Sequence, residues 1–188
     1  MTDDGRRKSG IAALVRASQA GDKVAFDRLV RLHQQQAMRL ATGMLGDVDD
    51  AAEAVQEALV KAYTRLGSLK IPGRFRVWLL RIVAHEAISR QRARRRQAGF
   101  LRLAAGYVGK RTVRTPDAAG QTEDLKTAIK RAMAQLTAKE AQAITLFGLE
   151  DLPHEEVARI MGCSTQSTRW HVYRARQKLR LLLREHLK

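Results

Sequence analysis

An all-α protein of two small helical domains joined by a flexible linker is what the sequence predicts, on three observations. Aromatic residues are only 5% of the chain while Ala, Leu, Arg and Gln are abundant, which favours helices over the β-branched, aromatic-rich composition of sheets. Apolar residues recur at helical spacing through the first half of the chain and again near its end. Between those stretches the periodicity fades, while basic residues, glycines and Pro116 accumulate, the signature of a linker. A chain of 188 residues has room for two cores of this kind. The expected division is a first domain over 10–96, a basic linker over 97–121 and a second domain over 122–188.

Gly21-Asp22 closes a short amphipathic helix and opens a longer one, in which Phe26, Leu29, Val30, His33, Ala37, Leu40, Ala41 and Met44 recur until Gly46 stops it. Asp47 caps a third helix, with Val48, Ala51, Ala52, Val55, Ala58, Leu59, Ala62, Tyr63 and Leu66 on its apolar stripe up to Gly67. Gly67 to Arg74 reads as a loop. Helix resumes from Phe75 through Arg96, apolar at first and ending in a basic run. Phe75 and Trp78 keep step with Leu79 and Ile82 and are expected in the core; His33 is expected to pack rather than ligate. The second domain opens at Thr122, with Glu123 and Asp124 in a first helical turn where they complement the helix dipole. Thr137 and Glu140 form a capping box. Glu155 to Met161 makes a short helix ending at Gly162, and Ser164 caps a long last helix.

The formal net charge of +16 and a pI near 11.0 point to a polyanionic partner, since Lys and Arg gain affinity for phosphates by releasing counterions. The single cysteine, Cys163, excludes an internal disulfide and a thiolate zinc cage, and the five histidines have no ligand spacing. No metal or cofactor is expected. With no apolar run near the roughly 18 residues of a membrane span and a polar N-terminus, a cytoplasmic protein is expected. Neither a nucleophilic triad, a phosphate-binding glycine loop nor a carboxylate pair in an apolar setting occurs, so the reading is not an enzyme.

Two helices joined by a tight turn at Gly162, the second rich in Arg, form the pattern of a helix-turn-helix DNA-binding unit. Val157, Ile160, Thr168, Val172, Ala175 and Leu179 supply its core. At 100° per residue this leaves Gln166, Trp170, Tyr173, Arg174 and Gln177 facing outward, with Arg169, His171, Arg176 and Lys178 flanking and Ser167 beside them. Amide and guanidinium groups suit base edges, and flanking cations suit phosphates.

Four stretches carry a family resemblance. GDVDDAAEAVQEA from Gly46 to Ala58 and FRVWLLRI from Phe75 to Ile82 resemble region 2 of sigma-70-family RNA polymerase sigma factors; LPHEEVARIMGCS from Leu152 to Ser164 and RARQKLR from Arg174 to Arg180 resemble region 4. Their order and the near-complete span, about Ala12 to Leu183, are similar to the extracytoplasmic-function group. The resemblance implies a region-2 helical bundle that binds the polymerase clamp and the minus-ten strand, and a region-4 helix-turn-helix that reads the minus-thirty-five element. It maps clamp binding to Asp50, Glu53, Gln56 and Glu57 on the third helix. It maps the minus-ten strand to Ser68, Lys70 and Arg74 in the loop that receives a flipped base, and to Arg81, His85, Arg90, Arg92, Arg94 and Arg95. Implied partners are core RNA polymerase, promoter DNA and an anti-sigma factor.

His85 stands where the family usually has Asn, Ser89 where it often has Asp, and Trp170 where a small residue is usual. Two other readings stay open here: a stand-alone helix-turn-helix regulator, which leaves the region-2 resemblance unexplained, and a degenerate sigma-like protein, motivated by His85 and Ser89.

Overall fold

The computed structural model describes residues 3–107 and 125–186. Among the described residues there is no strand; helices α1 (Asp3–Gln19), α2 (Lys23–Leu45), α3 (Val48–Arg65) and α4 (Phe75–Tyr107) form the first domain, and α5 (Leu125–Ala134), α6 (Ala138–Ile144), α7 (His154–Met161) and α8 (Thr165–Leu182) the second. Local chemistry sets the helix starts. Asp22 Oδ1 accepts from the amides of Val24 and Ala25 at 2.8 and 3.0 Å, and Asp47 Oδ1 from those of Asp49 and Asp50, both at 3.1 Å. Thr137 and Glu140 make the reciprocal capping box, and Ser164 Oγ accepts from the Ser167 amide at 3.1 Å. Each such cap contributes about 1 kcal/mol. Gly162 ends α7 at φ 66°, ψ 37°, left-handed backbone that costs glycine nothing and sets α7 and α8 at an angle.

The first-domain core follows from residue size. α3 turns Ala51, Ala54, Ala58 and Ala62 inward, letting its backbone approach α2 and α4, which fill the space with Leu29, Leu40, Phe75, Leu79, Leu80 and Val83. Burying each of these larger side chains stabilises the fold by about 1.5–3 kcal/mol. Phe75 is fully buried and meets His33 edge to face at 5.2 Å, while His33 Nδ1 bonds the Leu29 carbonyl at 2.8 Å. Both are core residues. Glu86, also buried, is neutralised by Lys61 Nζ at 2.5 Å, tying α4 to α3. The stretch from Leu66 to Arg74 holds two single 3-10 turns, Leu66–Ser68 and Pro72–Arg74. Gln19 Nε2 pins it to α1 by donating to the carbonyls of Leu66 and Leu69 at 2.9 and 3.1 Å.

Two features depart from the expected organisation. α4 does not end at Arg96 but runs to Tyr107, because residues 97–105 hold Ala, Leu, Arg and Gln and no proline, and extending an existing helix is far cheaper than nucleating one. The rest of the expected linker, and Thr122, Glu123 and Asp124, lie outside the described residues. The domains are also not held by a tether alone. Leu146, Leu152, Val157 and Ile160 of the second join the core of the first. Gly43 of α2 lies directly under Thr145, in the π-helical turn Thr145–Leu149 that follows α6, so closely that a Cβ on Gly43 would stand 2.5 Å from Thr145 Cγ2.

Candidate nucleic-acid interface

The helix-turn-helix presents the expected face. Thr168, Val172 and Ala175 are buried, Val157 and Ile160 close the core from α7, and Leu179 packs at its edge. Gln166, Ser167, Arg169, Trp170, Tyr173, Arg174, Arg176 and Gln177 are exposed. Neighbouring turns order this face: the Arg174 guanidinium lies over the Trp170 ring at 5.6 Å, and Gln177 Nε2 donates to the Tyr173 hydroxyl at 2.6 Å. Arg176 lies over the Phe147 ring at 4.9 Å.

Two flanking residues point elsewhere. Lys178 Nζ bonds Glu140 Oε2 at 2.7 Å, tying α8 to α6. His171 is half-buried, and burial, then the charge of Lys139, hold its pKa below the ordinary value, while Glu140 pulls the other way. Burial thus disfavours the charged ring that a phosphate contact would use. Burial opposes the charged form of Glu140, but Lys178 and the Thr137 amide and hydroxyl outweigh it and hold the carboxyl below its usual range. Periodicity puts Lys178 and His171 beside the reading face; the packing of α6 against α8 turns them toward α6.

In the first domain Ser68, Lys70, Arg74, Arg81 and His85 are exposed along the loop and the first turns of α4. Arg92 and Arg94 are exposed further along, and the side chain of Arg95 lies outside the described ones. On α3, Glu53, Gln56 and Glu57 face outward and Asp50 partly so. The acidic and basic groups that the resemblance assigns to different partners stand side by side. Arg90 reaches Asp50 at 3.5 Å, Glu57 at 3.6 Å and, at close contact, Glu53; Arg94 pairs with Asp50.

A polar chain at the domain junction has no signal in the sequence, because its members are far apart along the chain. Glu150, buried to 2% side-chain exposure, accepts from Arg39 Nε at 2.6 Å, Arg39 Nη2 at 2.9 Å and Gln36 Nε2 at 3.0 Å. Gln36 Oε1 accepts from Arg76 Nε at 2.9 Å, and Arg76 Nη1 donates to Glu156 at 2.8 Å. Arg81 donates to the carbonyl of Arg159, and Lys130 stands 3.7 Å from Asp47. Gln36, Arg39, Arg76, Glu150 and Glu156 line an open cleft of about 960 Å³ between the domains, which also takes in Arg74 and Val77.

A helical chain whose second domain is a helix-turn-helix with an exposed aromatic and cationic face is a DNA-binding protein of the transcription class. Residues 29–97 match the family model for sigma-70 region 2, and residues 126–179 that for sigma-70 region 4. The chain is 31% identical to the RNA polymerase sigma-H factor of Pseudomonas aeruginosa, over 92% of this chain and 95% of that one. It is also 31% identical to the extracytoplasmic-function sigma-E factor of Escherichia coli, over 88% and 90%. Among solved structures it resembles the sigma factor RpoE of Bartonella quintana in complex with the anti-sigma factor NepR, with a TM-score of 0.63 and 28% identity over 85% of this chain and 96% of that one. The fold also matches CnrH in complex with the cytosolic domain of CnrY, with a TM-score of 0.67 and 23% identity over 94% and 98%. The chain belongs to the sigma-70 family, as an RNA polymerase sigma factor of the extracytoplasmic-function type, and directs transcription initiation. Among the described residues, no helix is long and apolar enough to cross a membrane.

Proposed function

We propose that the chain works in the cytoplasm, has no enzymatic activity of its own, and divides its tasks between the two domains. Asp50, Glu53, Gln56 and Glu57 on α3 dock on the polymerase clamp. Ser68, Lys70, Arg74, Arg81, His85 and the basic run of α4 hold the minus-ten strand, whose flipped base costs a few kcal/mol to extract and is repaid by contacts in the loop. The α8 face reads the upstream element in the major groove. The observation that carries this reading is the exposed row Gln166, Trp170, Tyr173 and Arg174 on the second helix of a helix-turn-helix, since paired amide and guanidinium donors are the groups that discriminate base edges. An anti-sigma partner is supported by the similarity to RpoE, which was solved with NepR.

Run-off transcription with core polymerase, on DNA fragments selected by the reconstituted holoenzyme, tests the proposal. A promoter-dependent product that disappears on omitting the chain is expected. Selection of a palindromic site by the free chain, with no product on any fragment, would refute the assignment of these residues.

A further inference from the structure

The two flanks of α8 differ in what they leave free. On the side turned toward α6, Lys178 is engaged by Glu140. On the other side Arg169, Arg176 and Arg180 follow one another at helical spacing, all exposed, and no carboxylate among the described residues pairs with them. A row of free guanidinium groups beside a base-reading face is where a DNA backbone can lie. Within that row Arg176 is held in place, its guanidinium standing over the Phe147 ring at 4.9 Å. Phe147 is half-buried on the π-helical turn Thr145–Leu149 and packs against the core. The His154 imidazole fixes the plane of that ring, stacked on it with 4.4 Å between centroids and 11° between planes. His154 is the first residue of α7, so the platform is built from the two segments that precede α8. An arginine resting on a ring face keeps its N–H donors for an acceptor, and a side chain already ordered gives up less rotamer freedom when it meets a phosphate.

We infer that Phe147, braced by His154, is a positioning residue for DNA binding: its ring presents the Arg176 guanidinium to a backbone phosphate of the upstream element. Resting on the assignment of α8 to that element, this adds that the phosphate strand runs along the flank carrying Arg169, Arg176 and Arg180, not along the one facing α6. Phe147 acts through Arg176 alone, so its loss weakens all sequences alike and leaves base preference intact.

The test uses holoenzyme reconstituted with the full chain and a short fluorescent duplex carrying only the upstream half of a promoter that it selects, beside a scrambled duplex of equal length. Anisotropy titrations over a range of salt compare the parent with R176A, F147L, F147Y and F147L/R176A. R176A should weaken both duplexes by the same factor and reduce the slope of log affinity against log salt by about 0.9, the value of one phosphate contact on duplex DNA. F147L should weaken both by roughly two- to fivefold, the range of a cation–π contact at an exposed site. F147Y keeps the ring and should bind like the parent, and F147L should add nothing in the R176A background. A loss from F147L that persists without Arg176 marks a structural effect and overturns the inference, as does an F147L protein that binds like the parent or an R176A protein with the parental slope. If circular dichroism shows F147L misfolded, F147M, whose flexible side chain fills irregular gaps, takes its place in the same cycle with the same outcomes. R174A, measured alongside, tests the underlying assignment: unchanged base preference there sinks the reading by α8, while the cycle between Phe147 and Arg176 still decides the platform.

Discussion

Replacing Gly43 with Ala adds one methyl group where the domains touch, and the cost follows from the geometry. The new Cβ would lie 2.5 Å from Thr145 Cγ2, 2.8 Å from its Oγ1 and 3.3 Å from its Cβ. Thr145 is buried and sits on a short π-helical turn packed against α2, so it cannot swing into solvent. Overpacking of this kind costs about 1–3 kcal/mol, which weakens docking of the domains by roughly five- to more than a hundredfold, since every 1.4 kcal/mol is a factor of ten. Gly43→Ala should therefore leave the helical content unchanged, raise the radius of gyration in small-angle scattering and speed hydrogen exchange in α6 and along the facing side of α2. Thr145→Ala in the same chain removes the two closest atoms and should restore most of the docking. By itself Thr145→Ala should cost little there, because Thr145 Oγ1 is buried without a hydrogen-bond partner and its loss removes an unmet polar group. A Gly43→Ala protein as compact and exchange-protected as the parent would show that α2 and the turn after α6 do not meet as described.

Further expectations concern single groups. Lys61→Ala leaves the buried Glu86 carboxylate unpaired and should destabilise the chain by up to about 3 kcal/mol, a loss reduced when Glu86→Gln is added; equal midpoints of urea unfolding for parent and Lys61→Ala would contradict it. Arg174→Ala should relax preference at one or two base pairs at a cost of about 1–3 kcal/mol, as read by selection from random duplexes with the holoenzyme; uniform weakening across all sequences would make Arg174 a phosphate contact instead. Glu57→Lys should weaken assembly with core polymerase without changing helicity, and undiminished affinity would remove it from the docking surface. Because the Glu140 carboxyl is held below its ordinary 4.5, its contribution is complete above that value and is lost as pH falls through the lower folded-state value. The stability difference between parent and Glu140→Gln should accordingly shrink in acid, and a difference that stays constant down to the acid transition would count against the Lys178 and Thr137 contacts.

Much of this molecule is written locally. The side-chain caps at Asp22, Asp47, Thr137 and Ser164, and the glycine stops at Gly46 and Gly162, act within a few residues, and the apolar stripe of α8 follows from its three-and-four spacing. For the same reason the outward row Gln166, Trp170, Tyr173 and Arg174 is legible in the sequence alone, as are the four stretches that resemble sigma regions 2 and 4. The end of α4 is not, because glycine and charge in 97–107 suggest a linker, whereas helix propagation from an existing end needs only the absence of a breaker.

What tertiary structure decided is which of the many cations stands open and which is already engaged. Arg90 and Arg94 meet carboxylates 37 and 44 residues away, Lys178 one 38 residues away, and Arg39 one at a separation of 111. Periodicity places a side chain on a face of its own helix but says nothing of the face that comes to lie opposite. That depends on how closely helices approach, here through the alanines of α3 and through Gly43, and on the docking of the second domain. The sequence by itself therefore determined most helix boundaries, the outward face of α8 and the family, whereas which charges stand open was settled only by packing, because a Coulomb partner is chosen by distance in space rather than along the chain.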